Sequence, residues 1–200
     1  MNQALQAKLK TLPRTPGVYF HKSASGEVIY VGKAAVLKNR VRQYFQDSRG
    51  RDNKTMALVA EIFDTDWIET ESEVDALFLE SEMIKRYMPR YNVLLRDDKS
   101  QMYVRIDMKS DWPTVSFTRN PADDGADYFG PFYNGFALKK ALRYLRRIFP
   151  YLTHQRRPGQ SKLDEDLGLS PKMSDGSDVY KAGLRKLISY IKGNRKAIAV

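Results

Sequence analysis

A chain of 200 residues holds one full domain and part of a second, and with 42% apolar and 12% aromatic residues it can bury a core without disulfide or metal staples, which excludes disorder as its default state. Thirty-four Lys and Arg against 24 Asp and Glu leave a formal charge of +10, a surplus that favours a polyanionic partner such as nucleic acid. The absence of cysteine removes disulfides, thiolate metal sites and thiol nucleophiles together and leaves the compartment open; the N-terminal run has no apolar signal region and no run approaches the ~20 apolar residues of a membrane span, so the expected compartment is the cytoplasm.

Leu5, Leu9 and Leu12 recur at helical spacing until Pro13 and Pro16 stop the pattern ahead of a short apolar run, Gly17 to Phe20. A polar turn, Ser23 to Gly26, separates that run from Val28 to Val31, which predicts a β-hairpin. Val36 to Phe45 and Met56 to Phe63 read as helices, Trp67 to Thr70 as a third strand, and Glu73 to Tyr87 as a long helix closed by Pro89. Past Tyr91 the texture changes to short β-rich runs, Met102 to Ile106 and Thr114 to Thr118, then Tyr128-Phe129-Gly130-Pro131 and a helix from about Gly135 to Ile148. Residues 155–178, rich in Gly, Pro, Ser and charge, read as a linker before a last helix at Val179 to Ile191.

Tyr19 and Tyr30 fall on neighbouring strands, with Lys33 shortly after the second. Ordinary cross-strand packing accounts for two such tyrosines, whereas a cation beside a phenol favours phenolate and would equip a general base. Arg40 and Tyr44, one helical turn apart, project a guanidinium and a hydroxyl together, and a guanidinium forks naturally onto phosphate oxygens. Glu80 lies within about 60° of Ala76, Leu77, Met83, Ile84 and Tyr87 on the helical wheel, so a carboxylate sits in an apolar stripe and needs a cationic, hydrogen-bonding or metal partner. The charge is segregated along the chain. Acids run from Glu61 to Glu82 without a Lys or Arg until Lys85, whereas between Tyr128 and Leu163 there is no acid while Lys139, Lys140, Arg143, Arg146, Arg147, Arg156, Arg157 and Lys162 accumulate. Those on the helix lie opposite Leu138, Ala141, Leu142, Leu145 and Ile148, so they form either a phosphate-facing stripe or an ordinary solvated one.

The run PGVYFHKSASGEVIYVGKAAVLKNRVRQYF resembles the signature of the GIY-YIG endonuclease family, with Gly17-Val18-Tyr19 and Tyr30-Val31-Gly32 standing for its two triplets. ALFLESEMIKRYMPRYNVLLRDDKSQMYVRI and Tyr128-Phe129-Gly130-Pro131-Phe132 are similar to the excinuclease, UvrC-like branch of that family. The resemblance implies an α+β fold, a small three-stranded antiparallel sheet flanked by helices, and a small basic β-then-α extension. Residues 1–98 would form the nuclease domain, 99–154 the extension, and 155–200 a linker and closing helix. It further implies DNA strand hydrolysis with one divalent ion, Mg²⁺ or Mn²⁺, on Glu80, a phosphate clamp at Arg40, and Tyr30 as candidate base among Tyr19, Lys33, Tyr44 and Asn92. The implied partners are damaged duplex DNA and the excinuclease proteins UvrA and UvrB, and the implied event is the 3′-side cut of excision repair.

The chain departs from that branch too. His154, Lys162, Ser170 and Ser174 fall where its members carry cluster-binding cysteines, so no iron-sulfur cluster is expected. On the same resemblance the chain stops short of the segment that contacts UvrB and of the branch's second nuclease and DNA-binding modules. Two other readings share the same residues: a nuclease of branched-DNA resolution or of a mobile element, and a DNA-binding relative without catalysis. The run Tyr91 to Lys99 argues against the first, and the complete constellation argues against the second.

Overall fold

The computed structural model describes residues 2–46, 52–94, 101–155 and 163–194. The chain divides into two compact units, Met1–Asp97 and Asp98–Val200.

In the first unit, helix α1 (Gln3–Lys10) starts where the Asn2 side chain accepts the Leu5 N–H at 2.7 Å, and it buries Leu5 and Leu9. Strands β1 (Gly17–Lys22) and β2 (Val28–Ala34) form the expected hairpin, whose turn is closed by Gly26 at φ 83°. Helix α2 (Leu37–Gln43) and helix α3 (Asn53–Glu61) follow, and β3 (Asp64–Glu69) then pairs with the far side of β1, giving the antiparallel order β2-β1-β3. β1 is therefore the central strand, buried from Gly17 to His21. The pleat sends alternate residues to opposite faces. Phe20 meets Tyr87 of helix α4 (Glu73–Tyr87), while Tyr19 meets Tyr44 at the end of α2.

Helix α4 has the predicted limits, and its ends are chemically marked. Ser72 accepts the Asp75 N–H, and Met88 takes the left-handed conformation at φ 43° ahead of Pro89. Pro89 does not end the helical region, because a further short helix, α5 (Arg90–Leu94), begins at once. The predicted helix at Met56 lies earlier than expected, at Asn53, where Asp52 accepts the Thr55 N–H; Met56 and Phe63 are left exposed. Much of the acidic run is structural: Asp64 and Asp66 pair with Lys8, Asp66 also with Lys22, and Glu61 with Arg90 and Tyr91.

In the second unit, β4 (Met102–Ile106), β5 (Val115–Thr118) and β6 (Asp127–Phe132) form an antiparallel sheet of order β5-β4-β6. Helix α6 (Gly135–Leu145) buries Leu138, Ala141, Leu142 and Leu145. It stops short of the predicted end, so Ile148 is exposed and Phe149 is buried instead. Within the stretch read as a linker lie a short helix, α7 (Leu163–Asp166), and a 3₁₀ turn at Met173–Asp175; residues 156–162, including Arg156, Arg157 and Lys162, fall outside the described residues. Helix α8 (Ser177–Ile191) buries Tyr180, Leu184, Leu187 and Ile191 but leaves Ile188 partly exposed. Tyr180 ties it down: its hydroxyl donates to the Pro113 carbonyl and accepts the Leu152 N–H at 3.1 Å, and its ring stacks on Trp112. Among the described residues no helix is long and apolar enough to cross a membrane.

Candidate active site

The two glycines of the paired triplets are required by close approach. Tyr19 sits opposite Gly32 in the β1–β2 register, and a Cβ on Gly32 would lie 2.4 Å from the Tyr19 hydroxyl. A Cβ on Gly17 would lie 2.3 Å from the Ile68 carbonyl oxygen. The Tyr19 ring thus lies across β2, 1% exposed, with its hydroxyl 2.9 Å from that of Tyr44. Tyr30 joins from β2, its ring centroid 6.1 Å from both of the other tyrosines. The Arg40 guanidinium caps the group, 5.7 Å from the centre of the Tyr44 ring.

β2 is the edge of its sheet, so the backbone groups on its outer side need partners. Two side chains supply them. Asn92 on α5 accepts the Val31 N–H at 2.7 Å and donates to the Val31 carbonyl at 2.8 Å, standing in for a fourth strand. Glu80 on α4 accepts the next outward N–H, that of Lys33, at 2.9 Å through Oε1. Tyr19, Tyr30, Lys33, Arg40, Tyr44, Glu80 and Asn92 therefore converge on the β1–β2 ribbon and its outer edge, with Asn92 bound to backbone.

Burial raises the Glu80 carboxyl to about 7, against the opposing pull of the Lys33 amide, the Lys33 ammonium and Arg40. The expected action of Lys33 on a phenol is reversed. Burial, with Tyr44 and Glu80 close by, pushes the Tyr30 hydroxyl well above its ordinary value, Arg40 is the cation that opposes this, and the Lys33 charge falls on Glu80 instead. Among the described residues no group of three or more His, Asp or Glu side chains converges, so a metal here would rest on one carboxylate. Glu80 suits that role, since its second oxygen, Oε2, accepts no hydrogen bond from the described residues. One carboxylate completed by waters and phosphate oxygens is an ordinary environment for Mg²⁺. Without cysteine the chain offers no thiolate to an iron-sulfur cluster.

One polar residue of this region escaped the sequence reading. His21, paired in register with Tyr30 and Thr65, is fully buried; its Nδ1 lies 2.8 Å from the Thr65 hydroxyl, its Nε2 has no partner among the described residues, and its ring lies 4.8 Å from that of Tyr44. Burial lowers it to about 3, and the rings around it, Tyr19, Tyr30, Tyr44 and Phe45, carry no charge at neutral or acid pH. Unfolded, it takes a proton below about 6.5; folded, it does so only near 3, so this contribution is complete above 6.5 and drains away as pH falls. We expect about 2 kcal/mol less stability at pH 5 than at pH 7 from this group. Urea unfolding at both pH values should show that drop in the parent and a flatter dependence in His21→Phe; equal drops would remove His21 as the cause.

On α6 the predicted basic set splits. Lys139, Lys140, Arg143 and Arg147 are exposed, whereas Arg146 is engaged inward, pairing with Asp164 at 2.9 Å and donating to the Tyr151 carbonyl at 2.9 Å.

Two tyrosine-bearing strands in a three-stranded antiparallel sheet, with an arginine on the following helix and a glutamate on α4, form the arrangement expected of a GIY-YIG domain. Residues 15–93 match the model of the UvrC-like GIY-YIG domain. The chain is 43% identical to UvrABC system protein C of Thermoanaerobacter sp. over 164 residues, 82% of this chain and 26% of that protein. It is 41% identical to the protein of that name in Clostridium tetani over 189 residues, 92% of this chain and 30% of the relative. It is also similar to the GIY-YIG N-terminal endonuclease domain of UvrC from Thermotoga maritima bound to magnesium, with 35% identity over 46% of this chain and 99% of that one, at a TM-score of 0.41. The chain belongs to the UvrC-like GIY-YIG family. It spans about a quarter of the length of the curated relatives it matches.

Proposed function

We propose that the chain nicks one strand of duplex DNA by metal-dependent phosphodiester hydrolysis, and that this is the 3′-side incision of nucleotide excision repair, carried out in the cytoplasm. The observation that carries the reading is Glu80, a carboxylate fixed to the edge of β2 by one oxygen, the other accepting no hydrogen bond from the described residues, beside Arg40 and the tyrosine group. Glu80 would hold one Mg²⁺ or Mn²⁺. Such an ion supplies Lewis-acid polarisation of the phosphate, charge stabilisation at the leaving oxygen and the positive charge that Tyr30 needs to act as a base. Arg40 clamps the phosphate through its guanidinium fork. Tyr30 would orient the attacking water and, as the phenolate left once its own proton has passed to solvent, take that water's proton; Tyr44 and Tyr19 hold the phenol in place by ring contact, and Lys33 balances the charge of Glu80. Asn92 is a positioning residue that locks the strand carrying Tyr30.

With the chemistry assigned to residues 1–98, residues 99–154 supply phosphate contacts through Lys139, Lys140, Arg143 and Arg147, and residues 155–200 the closing helix. The excinuclease proteins UvrA and UvrB, partners in the system after which the relatives are named, would deliver damaged DNA. The test is a UV-irradiated supercoiled plasmid incubated with Mg²⁺ or Mn²⁺, with and without those two proteins. Nicking 3′ to the lesion that depends on them is the expected result. Cutting of branched junctions without them would move the protein to another pathway, and DNA binding with no cleavage under any of these conditions would make it a non-catalytic relative.

A further inference from the structure

Within the second unit, Phe136 is 82% exposed on the first turn of α6, on the side away from Leu138, Ala141, Leu142 and Leu145. It borders a surface cleft of about 390 Å³ whose other walls include Met102, Arg119, Tyr133, Asn134 and Lys139. Lys139 is positioned over the Phe117 ring, 5.8 Å from its centre, which sets a cation at the wall of that cleft. Lys140 and Arg143, four and seven residues beyond Phe136, fall on the same helix face, and Arg147 follows in the closing turn; all three are exposed. No acid occurs between Tyr128 and Leu163, and Asp164 just beyond is occupied by Arg146.

A row of cations alone suits any nucleic-acid backbone. An exposed aromatic ring at one end of the row adds a demand, because it can stack only on a base whose face is not already covered by its neighbours in a duplex. We infer that this face binds an unpaired stretch of DNA strand, one base stacking on Phe136 at the cleft and the adjoining phosphates running along Lys140, Arg143 and Arg147. Arg119 and Lys139 flank the stacked nucleotide and meet its phosphate. The choice of DNA rests on the function proposed above; the stacking site itself does not depend on cleavage.

The experiment uses the full chain in EDTA, so that binding is read apart from nicking, with fluorescence anisotropy on three probes of equal length: oligo-dT, the same backbone with abasic sites, and a duplex. Phe136→Ala should weaken oligo-dT binding by about tenfold and leave the abasic and duplex probes within about twofold, and Phe136→Trp should restore oligo-dT binding. Replacing Lys140, Arg143 and Arg147 together by Ser should weaken all three probes and flatten the dependence of affinity on salt. Unchanged oligo-dT binding by Phe136→Ala overturns the stacking site. Equal losses on the abasic or duplex probe overturn it as well, because the ring would then be acting on the backbone or on the fold.

Discussion

Glu80→Gln is expected to lower strand nicking by about 10²- to 10³-fold while leaving the melting temperature at or above that of the parent. The two halves of that expectation have separate causes. A glutamine oxygen can still accept the Lys33 N–H, so the edge of β2 keeps its partner. The substitution also removes a carboxylate whose ionised form burial disfavours, as its upward displacement to about 7 records. What it removes outright is the charge that a divalent ion needs. Glu80→Ala would confuse the issue, since it strips the acceptor from a partly buried amide at a cost of about 1–3 kcal/mol. Nicking and thermal melting measured on the same Glu80→Gln preparation decide the matter: parental activity would remove Glu80 from the chemistry, and a large fall in melting temperature would make it a structural cap on the sheet edge.

The parts of this arrangement that were legible in the sequence are those set by local pattern. The hairpin follows from two β-rich runs around a Ser-Gly turn, and the limits of α4 from its helical pattern and from Pro89 beyond its end. Glu80 was visible as a carboxylate out of place on an apolar stripe, although the wheel could not say that its first partner would be a strand amide. Longer-range features were not legible. Asn92 and Val31 are 61 residues apart, and no periodicity links a side-chain amide to a sheet edge. Helix α5 is one turn long and begins directly after a proline, where pattern reading stops.

Charges misled for a related reason. Lys33 is close to Tyr30 in the chain, yet burial of the phenol outweighs any nearby cation, and the charge of Lys33 is felt at Glu80. Arg146 belongs to a basic run in sequence, but at the flank of α6 it reaches Asp164 and the Tyr151 carbonyl. His21 gave no signal because a strand buried on both faces accepts any side chain of suitable size, and its neutral state depends on the three-dimensional absence of an anion beside it.

Tyr30→Phe and Arg40→Ala should each slow nicking by at least about 10²-fold at saturating DNA, with binding affected far less. Position beside Glu80 separates Tyr30 from Tyr19. Tyr19 is 1% exposed and Tyr44 9%, and their hydroxyls are bonded to each other, so neither can meet a water on a DNA phosphate without leaving the core. Tyr30 lies on the edge strand that Glu80 and Asn92 hold, and its hydroxyl feels both the Glu80 carboxylate and the Arg40 guanidinium, so it is the phenol placed beside the groups that would hold the ion and the phosphate. Phenylalanine keeps the ring contacts with Tyr19, His21 and Tyr44 and deletes the oxygen alone, so the fold should be retained. Arg40 bonds to Gln43 at the surface of α2 but also reaches the buried Tyr19 hydroxyl, so thermal melting of Arg40→Ala is measured beside its rate. Single-turnover rates measured with each variant at saturating DNA separate the chemical step from binding. A near-parental rate for Tyr30→Phe would mean that the water gives up its proton without a phenol, and a rate defect in Arg40→Ala that vanished at saturating DNA would reduce the guanidinium from transition-state stabiliser to binding contact.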